Sequence, residues 1–66
     1  MIHMFTIDGN YTAAYWQARA EEARSRAEAM RDGHARKALT TVAQMYERMA
    51  VRAEEREAKR TALTRH

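Results

Sequence analysis

The sequence predicts an all-α fold, an antiparallel hairpin of two helices that dimerises into a four-helix bundle. Three observations lead to it: two segments whose apolar residues alternate at spacings of three and four, a short break at Asp32-Gly33, and a 66-residue chain without proline. Such spacings keep the apolar side chains on one side of a helix. A break this short makes the two helices antiparallel neighbours.

Residues 1–11 are predicted to form an N-terminal arm, extended or frayed. Its apolar residues are followed by the turn signal Asp8-Gly9-Asn10. The arm lacks the basic leader and the long apolar stretch of a signal peptide. The sequence also has no run of 18 apolar residues that could cross a membrane. We therefore expect a cytoplasmic protein without a membrane partner.

Helix 1 is predicted over residues 12–31, with Asn10 or Thr12 as its cap, because both side chains can accept a free amide of the first turn. Residues 15–30 contain no Gly, Pro or β-branched residue, the types that weaken helices most. The predicted apolar seam of helix 1 consists of Ala13, Trp16, Ala20, Ala23, Ala27 and Met30.

Helix 2 is predicted over residues 33–60, with Asp32 as its N-cap and Gly33 easing the turn. Residues 61–66 are expected to be a C-terminal tail, so that the chain forms a single domain. The predicted seam of helix 2 consists of Ala35, Leu39, Val42, Tyr46, Met49 and Ala53.

The composition predicts that the hairpin associates with another chain. The sequence has 14 alanines and no cysteine, so its core is thin and disulfides cannot support it. We expect a homo-oligomer, a dimer first of all, with an unknown protein partner as the other possibility. The predicted oligomer or partner interface consists of Trp16, Ala20, Ala23, Ala27, Met30, Leu39, Val42, Met45, Tyr46, Met49 and Ala53.

No pattern in the sequence indicates catalysis, a cofactor or a metal site. The three histidines fall on the arm, the turn and the terminus, and none has a glutamate at the spacing of a helical metal site. The sequence has no Cys, and Ser25 has no histidine near it in the pattern. We therefore expect a protein that is not an enzyme.

A basic cluster on helix 2 supplies the alternative function. Basic residues spaced by four, four and three share a flank of a helix, and such a stripe can neutralise phosphates. Glu54, Glu55 and Glu57 stand among them, and no aromatic residue is interleaved for base stacking. The basic residues are Arg48, Arg52, Arg56, Lys59 and Arg60.

These patterns give two hypotheses of different classes. The leading one is a small non-enzymatic, self-associating helical-hairpin module that mediates protein–protein interaction. The alternative is a small nucleic-acid-binding regulator that uses the basic flank of helix 2. The glutamates among the basic residues argue against nucleic acid.

Two motifs resemble those of a group of short bacterial proteins of unknown function. Residues 16–24 follow the pattern Trp-x-x-Arg-Ala-Glu-Glu-Ala-Arg, and residues 46–54 are similar to Tyr-Glu-x-Leu-Ala-x-Arg-Ala-Glu. The resemblance covers residues 15–56 and implies a helical hairpin but no activity. The chain departs from the group at Gly33, where proline is common, at Gln17, where arginine is common, and at Met49, which replaces leucine.

Overall fold

The computed structural model describes residues 11–64, which form two helices and contain no strand. Helix α1 spans Ala13–Ala29 and helix α2 spans Gly33–Thr64, and the two pack side by side as an antiparallel pair. The predicted all-α hairpin is thus confirmed for this part of the chain. The predicted arm, except Tyr11, and the last two residues of the predicted tail lie outside the described residues.

Helix α1 begins one residue later than predicted, because Thr12 is its cap rather than its first residue. The Thr12 hydroxyl oxygen accepts a hydrogen bond from the backbone N–H of Tyr15 at 3.1 Å. The N–H of Ala13 donates to a carboxylate oxygen of Glu57 on α2 at 2.9 Å. Two of the amides that a helix start leaves without partners are therefore satisfied, one of them by the other helix.

The turn between the helices is closed by its own side chains. Helix α1 ends at Ala29, two residues before the predicted end, because Met30 has an extended backbone (φ −79°, ψ 135°) that begins the reversal. The Asp32 carboxylate accepts the N–H of Ala35 at 3.0 Å, as the predicted cap of helix 2. The Arg36 guanidinium donates to the carbonyl of Met30 at 2.7 Å and so covers the end of α1.

Helix α2 continues to Thr64, four residues beyond the predicted end. Residues 54–64 contain neither Gly nor Pro, so nothing in the sequence interrupts the helix. At 1.5 Å per residue, α2 is about 48 Å long and α1 about 26 Å. Because the start of α1 lies against Glu57, the last two turns of α2 continue past it.

The core between the helices is thin. Among the residues that the structure describes, eight hydrophobic ones are buried, and Trp16 is the one large side chain in that set. The others are all alanines, each contributing about 0.8 kcal/mol from one buried methyl group. These alanines are Ala13, Ala20, Ala23, Ala27, Ala43, Ala50 and Ala53.

The seam of α2 differs from the predicted one. Ala43 and Ala50 are buried, whereas Val42 is 36% exposed and Met49 half-buried. Ala43 and Ala50 are seven residues apart, as are Val42 and Met49, so the heptad periodicity alone does not separate the two lines. The alanine line faces α1 because small side chains let two helices approach closely, and the larger residues are displaced to one side.

Candidate interaction surfaces

The line of contact between α1 and α2 divides the hairpin into two faces. The front face is the one where Arg19, Glu22 and Arg26 of α1 border a shallow groove with Leu39, Val42 and Tyr46 of α2. The back face is the one where Gln17 and Arg24 of α1 meet Glu54 and Glu47 of α2. At 100° per residue, the two sets of α1 residues fall on opposite sides of its buried seam.

An aromatic cluster lies at the open end of the hairpin, around the buried Trp16. The Trp16 ring stacks on Tyr46 at 5.7 Å between centroids and meets the edges of Tyr11 at 5.4 Å and Tyr15 at 5.0 Å. Tyr11 and Tyr15 stack on each other at 4.2 Å. The indole N–H has no acceptor among residues 11–64, so this ring stabilises the hairpin through burial and ring contacts.

Arg19 joins the aromatic cluster to the charged rim of the front face. Its guanidinium carbon lies 6.0 Å from the Tyr15 centroid and 5.7 Å from that of Tyr46, and its Nη1 lies 3.1 Å from Glu22. Interaction with Tyr46, followed by the charge of Glu22 and the Tyr15 side chain, raises the pKa of Arg19 above its ordinary value. Arg19 therefore carries a permanent positive charge beside two ring faces.

The front face also carries the exposed apolar side chains nearest the seam. Tyr15 is 38% exposed, Val42 36% and Met45 53%, and Met49 packs half-buried against the cluster around Trp16. On α2, residues 42, 45 and 49 are spaced by three and four and form one stripe. We call these four residues the apolar strip. It is the most apolar exposed surface next to the core.

The back face is closed by polar contacts between the helices. The Gln17 amide donates to Glu54 at 2.8 Å, and Arg24 forms an ion pair with Glu47. Both contacts are solvent-exposed. The back face therefore presents satisfied polar groups where the front face presents rings and apolar side chains.

The predicted interface residues fall into three classes of burial. Trp16, Ala20, Ala23, Ala27 and Ala53 are buried against the other helix of the same chain. Met30, Leu39, Tyr46 and Met49 are half-buried, and Val42 and Met45 are exposed. Only the second and third classes have surface left for another chain.

Two front-face residues were not among the predicted interface residues. Tyr15 directly precedes Trp16, and Arg19 follows Tyr15 by four residues, which places the two side chains together on a helix. That spacing is a signal that could have identified them in the sequence.

The basic residues predicted for nucleic-acid contact lie along α2. Arg48, Arg52 and Lys59 are exposed, and Arg56 is half-buried. Within residues 11–64, none of these four forms a hydrogen bond or an ion pair, since the ion pairs of this part of the chain involve Arg19, Arg24 and Arg26. Arg60 has an interaction of its own within the chain.

A search of the described part of the chain finds no cluster of His, Asp or Glu that could hold a metal ion. Within the same residues, neither helix is long and apolar enough to span a membrane. Comparisons with protein-family models, with curated proteins and with solved structures find no match. The resemblance of the two helical motifs to short bacterial hairpin proteins therefore stays a prediction.

Proposed function

We propose that this chain is a non-enzymatic, self-associating module in which two hairpins join their front faces into a four-helix bundle. The observation that supports this most is the gathering of the apolar strip on one face, while the other face carries satisfied polar contacts. Exposed apolar side chains that cluster beside a core are typical of interaction sites.

The energetics of the hairpin favour an additional partner. Seven of its eight buried hydrophobic residues are alanines, whereas a large apolar side chain contributes about 1.5–3 kcal/mol when fully buried. Ordinary domains have a free energy of unfolding of about 5–15 kcal/mol. Covering the parts of Val42, Met45 and Met49 that are still exposed would add apolar burial in each copy.

A second copy suits this surface because a two-fold interface must be complementary to itself. The α1 rim of the front face has both signs of charge, with Glu22 within 3.1 Å of Arg19 and 3.8 Å of Arg26. The α2 side has the spacing of three and four that pairs of helices use to interlock. In a two-fold dimer the apolar side chains of one copy can therefore contact those of the other. The rim of each copy, with charges of both signs, can likewise face the same rim of the other copy.

A matched pair of variants tests the proposal. Met45→Glu introduces a charge into the apolar strip, and Val51→Glu introduces the same charge beside Glu47 and Arg48, away from the front face. The two side chains are almost equally exposed, 53% for Met45 and 51% for Val51, so neither change disturbs the core of the hairpin. Sedimentation equilibrium and circular dichroism over a dilution series measure association and helicity together.

We expect Met45→Glu to weaken self-association by at least about tenfold, because burying an unpaired carboxylate costs several kcal/mol. Val51→Glu should associate like the original chain. A chain that stays monomeric and helical at every concentration would contradict self-association. Equal effects of the two substitutions would contradict the choice of the front face.

A further inference from the structure

Three of the four glutamates of α2 face α1, whereas the fourth, Glu55, lies about 60° from Arg52 on the side of the basic residues and offsets one of their charges. Glu47, Glu54 and Glu57 all point to α1, where they meet Arg24, Gln17 and the N–H of Ala13. In the sequence, Glu54 and Glu57 stand among the basic residues and look as if they neutralise them. In the fold, Glu54 and Glu57 accept hydrogen bonds from α1.

This sorting leaves a basic stripe on the outer side of α2, formed by Arg48, Arg52, Arg56 and Lys59. At 100° per residue the four lie within an arc of about 80°, and Glu54 lies about 160° away from Arg52. The stripe is about 16 Å long at 1.5 Å per residue. No member has a hydrogen bond or an ion pair in the part of the chain that the structure describes.

We infer that the basic stripe binds the phosphate backbone of double-stranded DNA. Three of its four members are arginines, whose planar guanidinium groups bind phosphate with two parallel hydrogen bonds. A single helix with its cations on one side fits the major groove of B-form DNA, which admits an α-helix. The last member of the stripe, Lys59, lies beyond Glu57, the α2 residue that contacts the start of α1.

A duplex fits the stripe better than a membrane surface does. Helices that lie on membranes place large apolar residues, such as Trp, Phe or Leu, beside their basic residues. From residue 50 to residue 62, α2 has Val51 and alanines as its only apolar residues. Met45 and Leu63 are exposed near the two ends of the stripe, but between Met49 and Leu63 no apolar side chain larger than that of Val51 is present to insert into a bilayer.

The experiment is a titration of a short fluorescein-labelled DNA duplex with the full chain, followed by fluorescence anisotropy at several salt concentrations. The test variant is Arg52→Glu with Lys59→Glu, within the stripe. The control variant is Arg31→Glu with Lys37→Glu, at the turn end. Both variants change the net charge equally, and all four side chains are exposed and without hydrogen bonds or ion pairs in residues 11–64.

We expect the original chain to bind with a slope of log K against log salt of about −3, as three to four phosphate contacts give. The test variant should lose at least about tenfold in affinity, and the slope should become shallower by about two. The control variant should keep the slope and stay within about threefold of the original affinity, because its charges are remote from the stripe.

Three results would overturn the inference. The first is the absence of binding at low salt, and the second is an equal loss in the test and control variants. The third is binding to phosphatidylserine vesicles without binding to DNA, which would assign the stripe to a membrane surface instead. Circular dichroism of both variants tests whether a loss of DNA affinity comes from a loss of helical structure. Sedimentation equilibrium tests whether the variants still self-associate.

Discussion

The front and back faces hold the same two helices together by different means. The back face uses polar contacts between specific partners: the N–H of Ala13 and the side chains of Gln17 and Arg24 meet the carboxylates of residues 57, 54 and 47. The front face uses rings, Met49 and one arginine over two tyrosine rings. The back face therefore discriminates between partners, whereas the front face excludes water from a larger apolar area.

The difference shows which face sets the register and which stabilises the fold. Residues 13, 17 and 24 of α1 contact residues 57, 54 and 47 of α2, respectively. The residue numbers rise on one helix as they fall on the other, which is what an antiparallel pair in a single register requires. Exposed pairs of this kind contribute about 0–1 kcal/mol each, since water competes with them. The rings around Trp16 bury apolar area, and apolar burial stabilises a fold more than exposed polar pairs do. The following predictions test this division.

The largest effect is expected for Trp16→Ala, because Trp16 is the one large side chain in the core. Removing a buried Trp costs about 3–5 kcal/mol, which leaves little of the stability of a small hairpin. Urea unfolding followed by circular dichroism, at one fixed protein concentration, measures the loss. Tyr15→Ala is the control, since the Tyr15 ring is in the same cluster but 38% exposed. Equal losses would show that the cluster is not centred on Trp16.

A second prediction compares neighbours on α2. Ala43→Leu should destabilise the hairpin by about 1–3 kcal/mol, because the added carbons have to fit between closely packed helices. Val42→Leu should change the free energy of unfolding by less than about 0.5 kcal/mol, since Val42 is 36% exposed on the front face. Thermal unfolding of both variants measures the difference. A larger destabilisation by Val42→Leu than by Ala43→Leu would indicate that Val42, and not Ala43, lies between the helices.

The contrast at residues 42 and 43 also shows how far the sequence determines the fold. On α1, polar residues border the apolar line on both sides, and all five predicted alanine and tryptophan positions are buried. On α2, Val42 and Met49 lie on one line and Ala43 and Ala50 on the adjacent one, and the members of each pair are seven residues apart. The choice depends on how closely α1 approaches, which is a tertiary property. Both caps at Thr12 and Asp32, in contrast, are local and could be predicted.

The candidate surfaces were only partly predictable for a related reason. Glu54, Glu55 and Glu57 stand among the basic residues in the sequence, but on a helix the spacing separates Glu54 and Glu57 from the basic stripe and leaves Glu55 beside it. The partners of Glu54 and Glu57 depend on where the start of α1 lies against α2. That position follows from the length of the turn and the packing of Trp16, so these partners on α1 become visible only in the fold.

A third prediction concerns the contact between Glu57 and the start of α1. Glu57→Gln keeps the size of the side chain but removes the negative charge that faces the free amides of a helix N-terminus. We expect the free energy of unfolding to fall by about 0.3–1 kcal/mol and the melting temperature by a few degrees. Glu55→Gln is the matched control, because Glu55 is exposed and has no hydrogen bond or ion pair in residues 11–64. A similar fall in both variants would indicate an effect of net charge alone.

The smallest effect is expected for the ion pair between Arg24 and Glu47 on the back face. Both side chains are about half exposed, so a double-mutant cycle with Arg24→Ala and Glu47→Ala should give a coupling of about 0.2–1 kcal/mol. The coupling should decrease when salt is added, because salt screens exposed charges over about 10 Å at 0.1 M. A coupling above about 2 kcal/mol that persists in high salt would contradict the division between the faces. The back face would then stabilise the hairpin as well as set its register, and a thin apolar core would no longer argue for a second copy.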